Sequence, residues 1–248
     1  MGDSKIKTWI ENAFKWLTII FIIIIIGILI LKYNVEGETN LPFCLSSLII
    51  ISNAEGFQEE QNSTYRWDME VYQFNDIYLN IEKNKNYKEV EAIKNVKIDN
   101  IRITQPQIGR VEIYRPSSND IHMYSYDKAH QIVDKMELQG EKQTDIQNQT
   151  ISNQGGTILL RILNKTGKRV TTNEDTFEHS GKLLEKTGIN FEEIKTKIVF
   201  DLTIEIESGS LFKSTIELTL PEDGLVQSGS ASKEIEHPRN IVFKREPI

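Results

Sequence analysis

The chain has 248 residues and a formal net charge of −7, long enough for a membrane segment and one or two domains with a proper core. Its acidity excludes an electrostatic grip on nucleic acid, anionic lipid or teichoic-acid-like polymers as the main mode of binding. One cysteine excludes an internal disulfide, so the fold must rest on its core.

Residues 14–33, FKWLTIIFIIIIIGILILKY, stand apart from everything that follows. Residues 17–31 carry no charge, and only Thr18 and Gly27 interrupt the large apolar side chains. That core spans about 22 Å as a helix, against about 30 Å of bilayer hydrocarbon. The flanks supply the rest. Lys15 and Lys32 can extend their methylene stems along the apolar zone, and Trp16 and Tyr33 suit the two interfaces. The pattern predicts one transmembrane helix over 14–33. Ile6, Trp9, Ile10 and Ala13 recur at helical spacing and predict that it begins earlier.

Lys5, Lys7 and Lys15 precede the apolar core, and after Lys32 no basic residue occurs until Arg66. The positive-inside rule then makes 1–13 a short cytoplasmic tail and places 34–248 outside, with the lipid bilayer as the first partner. Beyond Lys32 the chain holds 25 basic and 34 acidic residues, a net −9. A cleaved signal peptide would need small residues at its exit, and 31–34 is Leu-Lys-Tyr-Asn. Phe43 before Cys44 does not suit lipoprotein processing. The segment therefore reads as a permanent anchor.

Residues 34–42 form a polar juxtamembrane spacer, and 43–248 read as one β domain. Residues 43–52, FCLSSLIIIS, predict a buried strand, with Cys44 a small buried thiol; 54–64 read as a polar loop. From Arg66 the period is two. Trp67, Met69, Val71, Ile77, Leu79 and Ile81 share one face, with a bulge or turn expected at Asn75-Asp76. Residues 84–86 form a turn. Residues 92–104 alternate again, with a phase shift at Asp99-Asn100 that predicts a turn or bulge. A short strand follows at 110–114, then alternation over 121–126 and a helical turn over 127–135. Residues 136–140 fit a strand, and 141–156 an exposed loop.

Residues 157–163, TILLRIL, predict a second buried strand, closed by a turn over 164–168. A helix is expected over 180–186, stopped by Gly188, and Asn190-Phe191-Glu192-Glu193 has the form of a capping box. The clearest unit is a hairpin over 198–220, with Ile198, Phe200, Leu202, Ile204 and Ile206 facing Phe212, Ile216, Leu218 and Leu220 across Ser208-Gly209-Ser210. A Gly- and Ser-containing stretch, 224–232, precedes a last strand at 241–243. The predicted class is mainly β: a transmembrane helix, then an antiparallel β-sandwich-like domain with one or two short helices.

Chemistry is sparse. His122, His130, His179 and His237 have no metal-ligand spacing, though Asp127 lies between the first two. Glu178-His179-Ser180 are adjacent and cannot converge as a triad. Asp145, Glu174, Asp175 and Glu178 match no calcium loop. Gly155-Gly156 precedes a strand rather than a helix, so it is no phosphate loop. Nucleotide, hydrolase-elbow and zinc-protease motifs are absent. The sequence nominates no catalytic, cofactor-binding or metal residue. Tyr72, Tyr78, Tyr124 and Tyr126 fall on the outward phase, where aromatics stack on sugars, hold a partner chain or pair across strands.

Scarce cysteine and abundant Ile, Lys and Asn fit an AT-rich bacterial source. The segments KYNVEGETNLPFCLSSLIIIS, ISNQGGTILLR and FDLTIEIESG resemble uncharacterised single-pass membrane proteins of low-GC Gram-positive bacteria. The resemblance implies location and architecture and carries no activity. The expected function is that of a membrane-anchored cell-envelope protein. Its β domain would be a non-enzymatic module for an envelope protein or glycan; the alternative is an envelope hydrolase using loop carboxylates.

Overall fold

The computed structural model describes residues 3–34, 41–58, 67–117, 123–141, 150–172, 183–238 and 241–246. The protein is mainly β. It begins with helix α1, Asp3–Asn34, which starts well before residue 14, as Ile6 to Ala13 predicted. The side chains described in α1 are Trp9 and residues 12–28. Among the described residues no helix is long and apolar enough to cross a membrane.

The strands are β1 Phe43–Gln58, β2 Trp67–Lys83, β3 Ile93–Thr104, β4 Arg110–Tyr114, β5 Gln131–Ile132, β6 Met136–Glu141, β7 Thr150–Ser152, β8 Gly155–Thr172, β9 Thr196–Ile206, β10 Leu211–Leu220, β11 Ser230–Glu236 and β12 Lys244–Arg245. They form two six-stranded sheets. Sheet A runs β11-β1-β2-β8-β4-β5 and sheet B runs β12-β10-β9-β3-β6-β7. All pairs are antiparallel except β6 with β7, where Gln139 lies opposite Thr150 in a parallel pair. Sheet B is therefore mixed, which corrects the purely antiparallel expectation.

One hydrophobic cluster takes side chains from both sheets: Leu48, Leu79 and Leu160 from A meet Val96, Phe200 and Ile216 from B. Fully burying one such side chain stabilises by about 1.5–3 kcal/mol, so this shared interior is the main reason the chain folds without a disulfide. The alternation read from the sequence explains it. Met69, Val71, Ile77, Leu79 and Ile81 are all buried, and so are the inward residues of the 198–220 hairpin. That hairpin is β9-β10, turning at Gly209 with φ +87°.

Several boundaries differ from the sequence reading. Strand β1 continues through Gln58 where a polar loop was expected, and β2 runs straight through Asn75-Asp76. The 164–168 turn is instead a bulge inside β8: the β2 pairing passes from Val71↔Lys168 to Tyr72↔Lys165. Asn75 and Asn164 are accommodated inside long strands, Asn75 accepting from Ser52 and Asn164 Nδ2 donating to the Ile108 carbonyl at 3.2 Å. Ser52, Gln73, Asn75 and Asn164 form a polar row on the inner face of sheet A, each at most 1% exposed. The row separates the main cluster from a second one, where Ala54, Val71 and Val170 meet Leu183, Leu184 and Leu225. Ser52 Oγ donates to Asn75 Oδ1 at 2.6 Å and accepts from the Glu222 amide at 3.0 Å. The side-chain carboxamide of Gln73 has no hydrogen-bond partner among the described residues.

The Asp99-Asn100 phase shift is a bulge, with the β3–β9 register jumping between Asp99 and Arg102 and Asn100 at φ +51°, a conformation asparagine tolerates better than most. Residues 127–130 make a turn rather than a helix, and 123–126 are not strand. Helix α2 is Leu183–Lys186 and α3 is Leu225–Ser228. Gly188, at φ +70°, stops the former. Glu193 Oε2 accepts from the Asn190 amide at 2.8 Å, the reach-back of the expected capping box. The stretch 224–232 holds α3 and opens β11, a charged edge strand along β1. Near the C-terminus β12 forms at Lys244–Arg245, paired with Phe212 and Lys213 of β10 and just beyond the strand expected at 241–243, and Phe243 is buried in the core.

Candidate functional site

The outer face of sheet A carries the densest chemistry. Alternation turns Phe57 of β1, Tyr72, Phe74 and Asp76 of β2, Arg161, Leu163 and Lys165 of β8, and Glu112 and Tyr114 of β4 away from the main core. The β4–β5 connection lays Tyr124 and Tyr126 over them. Phe74, Tyr114, Tyr124 and Leu163 form a separate cluster, with Tyr72 and Tyr126 packed on it.

Arg161 is its centre. Nε and Nη2 donate to the two oxygens of Asp76 at 2.7 Å each, and Nη1 donates to Tyr126 Oη at 2.8 Å. The guanidinium lies 4.0 Å from the Phe74 ring centroid and 4.1 Å from that of Tyr124. The Arg161 and Asp76 side chains are only 12% and 10% exposed. Burial by itself lowers the Arg161 pKa; Asp76 and Tyr126 overcome it and hold the group charged, above its ordinary value. A bidentate pair flanked by two rings meets the conditions under which a buried ion pair is tolerated. With three nitrogens engaged and both faces covered, this guanidinium latches the β4–β5 connection to the sheet and offers little to an anionic ligand.

Beside it, Glu112 Oε2 accepts from Tyr114 Oη at 2.6 Å and from Lys165 Nζ at 2.7 Å. Burial works to raise the Glu112 pKa, and these bonds overcome it, leaving the carboxyl below its ordinary value. Tyr114 and Tyr124 are both raised, first by burial and then by Glu112 and Asp76 respectively. Tyr124 Oη is buried with no hydrogen-bond partner among the described residues, so its ring, not its hydroxyl, secures it. The connection closes in a tight turn: Asp127 Oδ1 accepts from the Ala129 and His130 amides at 2.8 and 3.0 Å and lies 2.8 Å from His130 Nδ1. His130 holds the Asp127 pKa down to about 2.

Where this face meets solvent it does so through half-buried rings. Phe57 stacks on Tyr72 with centroids 4.6 Å apart and meets Tyr126 edge-on at 5.9 Å. Of the four outward tyrosines, Tyr124 is buried at 4% exposure, while Tyr72, Tyr78 and Tyr126 remain half-buried. Cross-strand and cross-segment packing accounts for most of them.

The other nominated residues do not converge. His122, Asp145, Glu174, Asp175, Glu178, His179 and Ser180 lie outside the described residues. His237 sits at φ +43°, its amide bonded to the Ser46 carbonyl at 2.8 Å. Cys44 is half-buried rather than buried. Gly155, at φ +112°, brings β8 so close to β2 that a Cβ there would run into the Ile81 carbonyl oxygen, which explains the glycine without a ligand. Among the described residues no three metal-ligating side chains gather. A cavity of about 10 Å³ between the sheets is lined by apolar side chains, among them Ile113, Leu160 and Phe200, room for one water at most. Arg161 and Asp76 were missed in the sequence. The available signal was an arginine inside the apolar run TILLRIL, which demands a carboxylate opposite it.

Comparison with family models, with curated proteins and with solved structures finds no match.

Proposed function

We propose that this is a membrane-anchored cell-envelope protein whose β-sandwich-like domain, 43–248, works outside the bilayer as a non-enzymatic binding or structural module. One observation carries the anchoring. From Leu17 to Ile28 the large apolar side chains of α1 are exposed on every side of the helix, between 41% and 68% each. A helix apolar all round needs a nonaqueous environment, and the Lys and aromatic flanks at 15–16 and 32–33 match a bilayer of ordinary thickness. The lysine asymmetry places the N-terminus in the cytoplasm, consistent with the resemblance to single-pass membrane proteins of low-GC Gram-positive bacteria.

A binding rather than catalytic role is favoured by the way the most buried acids on the two outer faces are used: Asp76, Glu112 and Asp201 are each tied to a cation. The half-buried Phe57–Tyr72–Tyr126 group is the surface best suited to an envelope protein or glycan. Membrane fractionation of the full chain tests the anchor. It is expected to stay in the pellet through alkaline carbonate and to leave with detergent; release by carbonate alone would sink the proposal. Turnover of peptidoglycan by the purified chain, lost on changing one loop acid, would replace the module with a hydrolase.

A further inference from the structure

Asp201 of β9 occupies the middle of the outer face of sheet B. Its Oδ2 accepts from Asn100 Nδ2 at 2.7 Å and lies 2.9 Å from Lys213 Nζ, while Oδ1 accepts from Thr215 Oγ1 at 2.6 Å. The residues come from three neighbouring strands, β3, β9 and β10. Asn100 projects toward Asp201 because the β3 bulge turns it out of register. The lysine and asparagine nitrogens therefore lie within about 5.6 Å of each other, the sum of their contacts to one oxygen. An amine, a carboxamide and a carboxylate bridging them are the three groups that amide exchange requires: nucleophile, electrophile and proton carrier.

We propose that Lys213 and Asn100 become joined by an isopeptide bond, with Asp201 carrying the proton. As the free amine, Lys213 Nζ forms a bond to Asn100 Cγ, and the Cγ–Nδ2 bond breaks. The proton shed by Nζ passes through the Asp201 carboxyl to Nδ2, which leaves as ammonia. One amide is exchanged for another, and no oxidant or co-reactant is needed. At rest the groups form an ion pair. Lys213 is raised, chiefly by its hydrogen bond to Asp201, and Asp201 is lowered because Asn100, Thr215 and Lys213 overcome its burial. The amine arises only by proton transfer inside the pair, so the reaction is slow. The fold holds the amine and the carboxamide on one carboxylate oxygen, and loss of ammonia makes the exchange irreversible. The product ties β3 to β10 across β9, a covalent closure in a chain whose single cysteine can form no internal disulfide. This inference is independent of membrane anchoring.

Intact-mass measurement on the full chain, purified in detergent and held folded for days, tests it. The expected mass is about 17 Da below that of the sequence, one ammonia lost, with trypsin failing to cut after Lys213 and a linked peptide pair containing Asn100 and Lys213. Lys213→Arg keeps a cation beside Asp201 and is expected to show the full mass, as is Asp201→Ala. A full sequence mass in the unaltered chain overturns the proposal. So does a deficit that persists in Lys213→Arg, because that loss would come from an asparagine acting alone.

Discussion

The outer faces of the two sheets solve the same problem in opposite ways. Sheet B keeps most of its outer face wet, with Asp201 the buried exception. Lys197 pairs with Glu217 at 2.6 Å and Lys94 with Glu205 at 2.6 Å, and in the first pair both side chains are about half exposed. Sheet A buries its outer face under the β4–β5 connection, and there the charges of Arg161 and Asp76 are about a tenth exposed, bidentate and stacked. The same chemical pairing therefore has different energetic weight on the two faces. In water an ion pair gains little because solvent competes for both partners. Under aromatic rings, each charge depends on the other.

That difference is sharpest in substitutions. Asp76→Ala leaves the Arg161 guanidinium buried without its carboxylate and is expected to cost about 3–5 kcal/mol in denaturant unfolding. Replacing both partners with apolar residues, Asp76→Leu with Arg161→Met, is expected to restore much of that loss. A double variant as unstable as the single one would mean that the pair is not the latch. Next, Tyr124→Ala removes one wall of the stack and should cost about 3 kcal/mol. Tyr124→Phe removes only an unpartnered hydroxyl and should be neutral or slightly stabilising, within about 1 kcal/mol. On sheet B, Lys197→Ala should change stability by less than about 1 kcal/mol, an effect that fades in high salt.

The smallest effect concerns pH. Asp127 has a folded pKa depressed from 3.8 to about 2 by His130. A depressed carboxylate contributes stability that is fully present above its unfolded value and is lost as pH falls through the folded one. The turn at 127–130 is therefore expected to loosen only between about pH 4 and pH 2. Amide exchange at Ala129 and His130 should speed up in that window in the unaltered chain. In Asp127→Asn it should not depend on pH there beyond the intrinsic exchange rate.

Sheet B was far more legible in the sequence than sheet A. The 198–220 hairpin alternates apolar and polar residues over most of its length, with Val199 outward and Ser214 inward as exceptions, because one face meets the core and the other meets water. On sheet A both faces are partly buried. Asn75, Asp76 and Asn164 looked like turn residues because that is where such side chains usually go. Here Asn75 and Asn164 lie in the inner polar row and Asp76 answers Arg161 from a strand eighty-five positions away in sequence. No local period records a partner that distant. The Asp99-Asn100 bulge was visible because a bulge breaks the phase of its own strand; the β8 bulge hid behind a glycine that also suits a turn. The tyrosines were visible as outward residues, but the alternation over 121–126 suggested a strand, whereas the described residues 123–126 are not strand and pack Tyr124 and Tyr126 on the face of sheet A.

The central claim is that α1 holds the β domain at the outer surface of a membrane. Lys85 and Lys88 lie exposed just beyond β2 and report the side directly. Intact cells expressing the full chain should be treated with a membrane-impermeant amine reagent, and these two lysines mapped by mass spectrometry. The account predicts that both are modified before lysis, while a cytoplasmic control protein is not. Modification of Lys85 and Lys88 only after the cells are opened would contradict it.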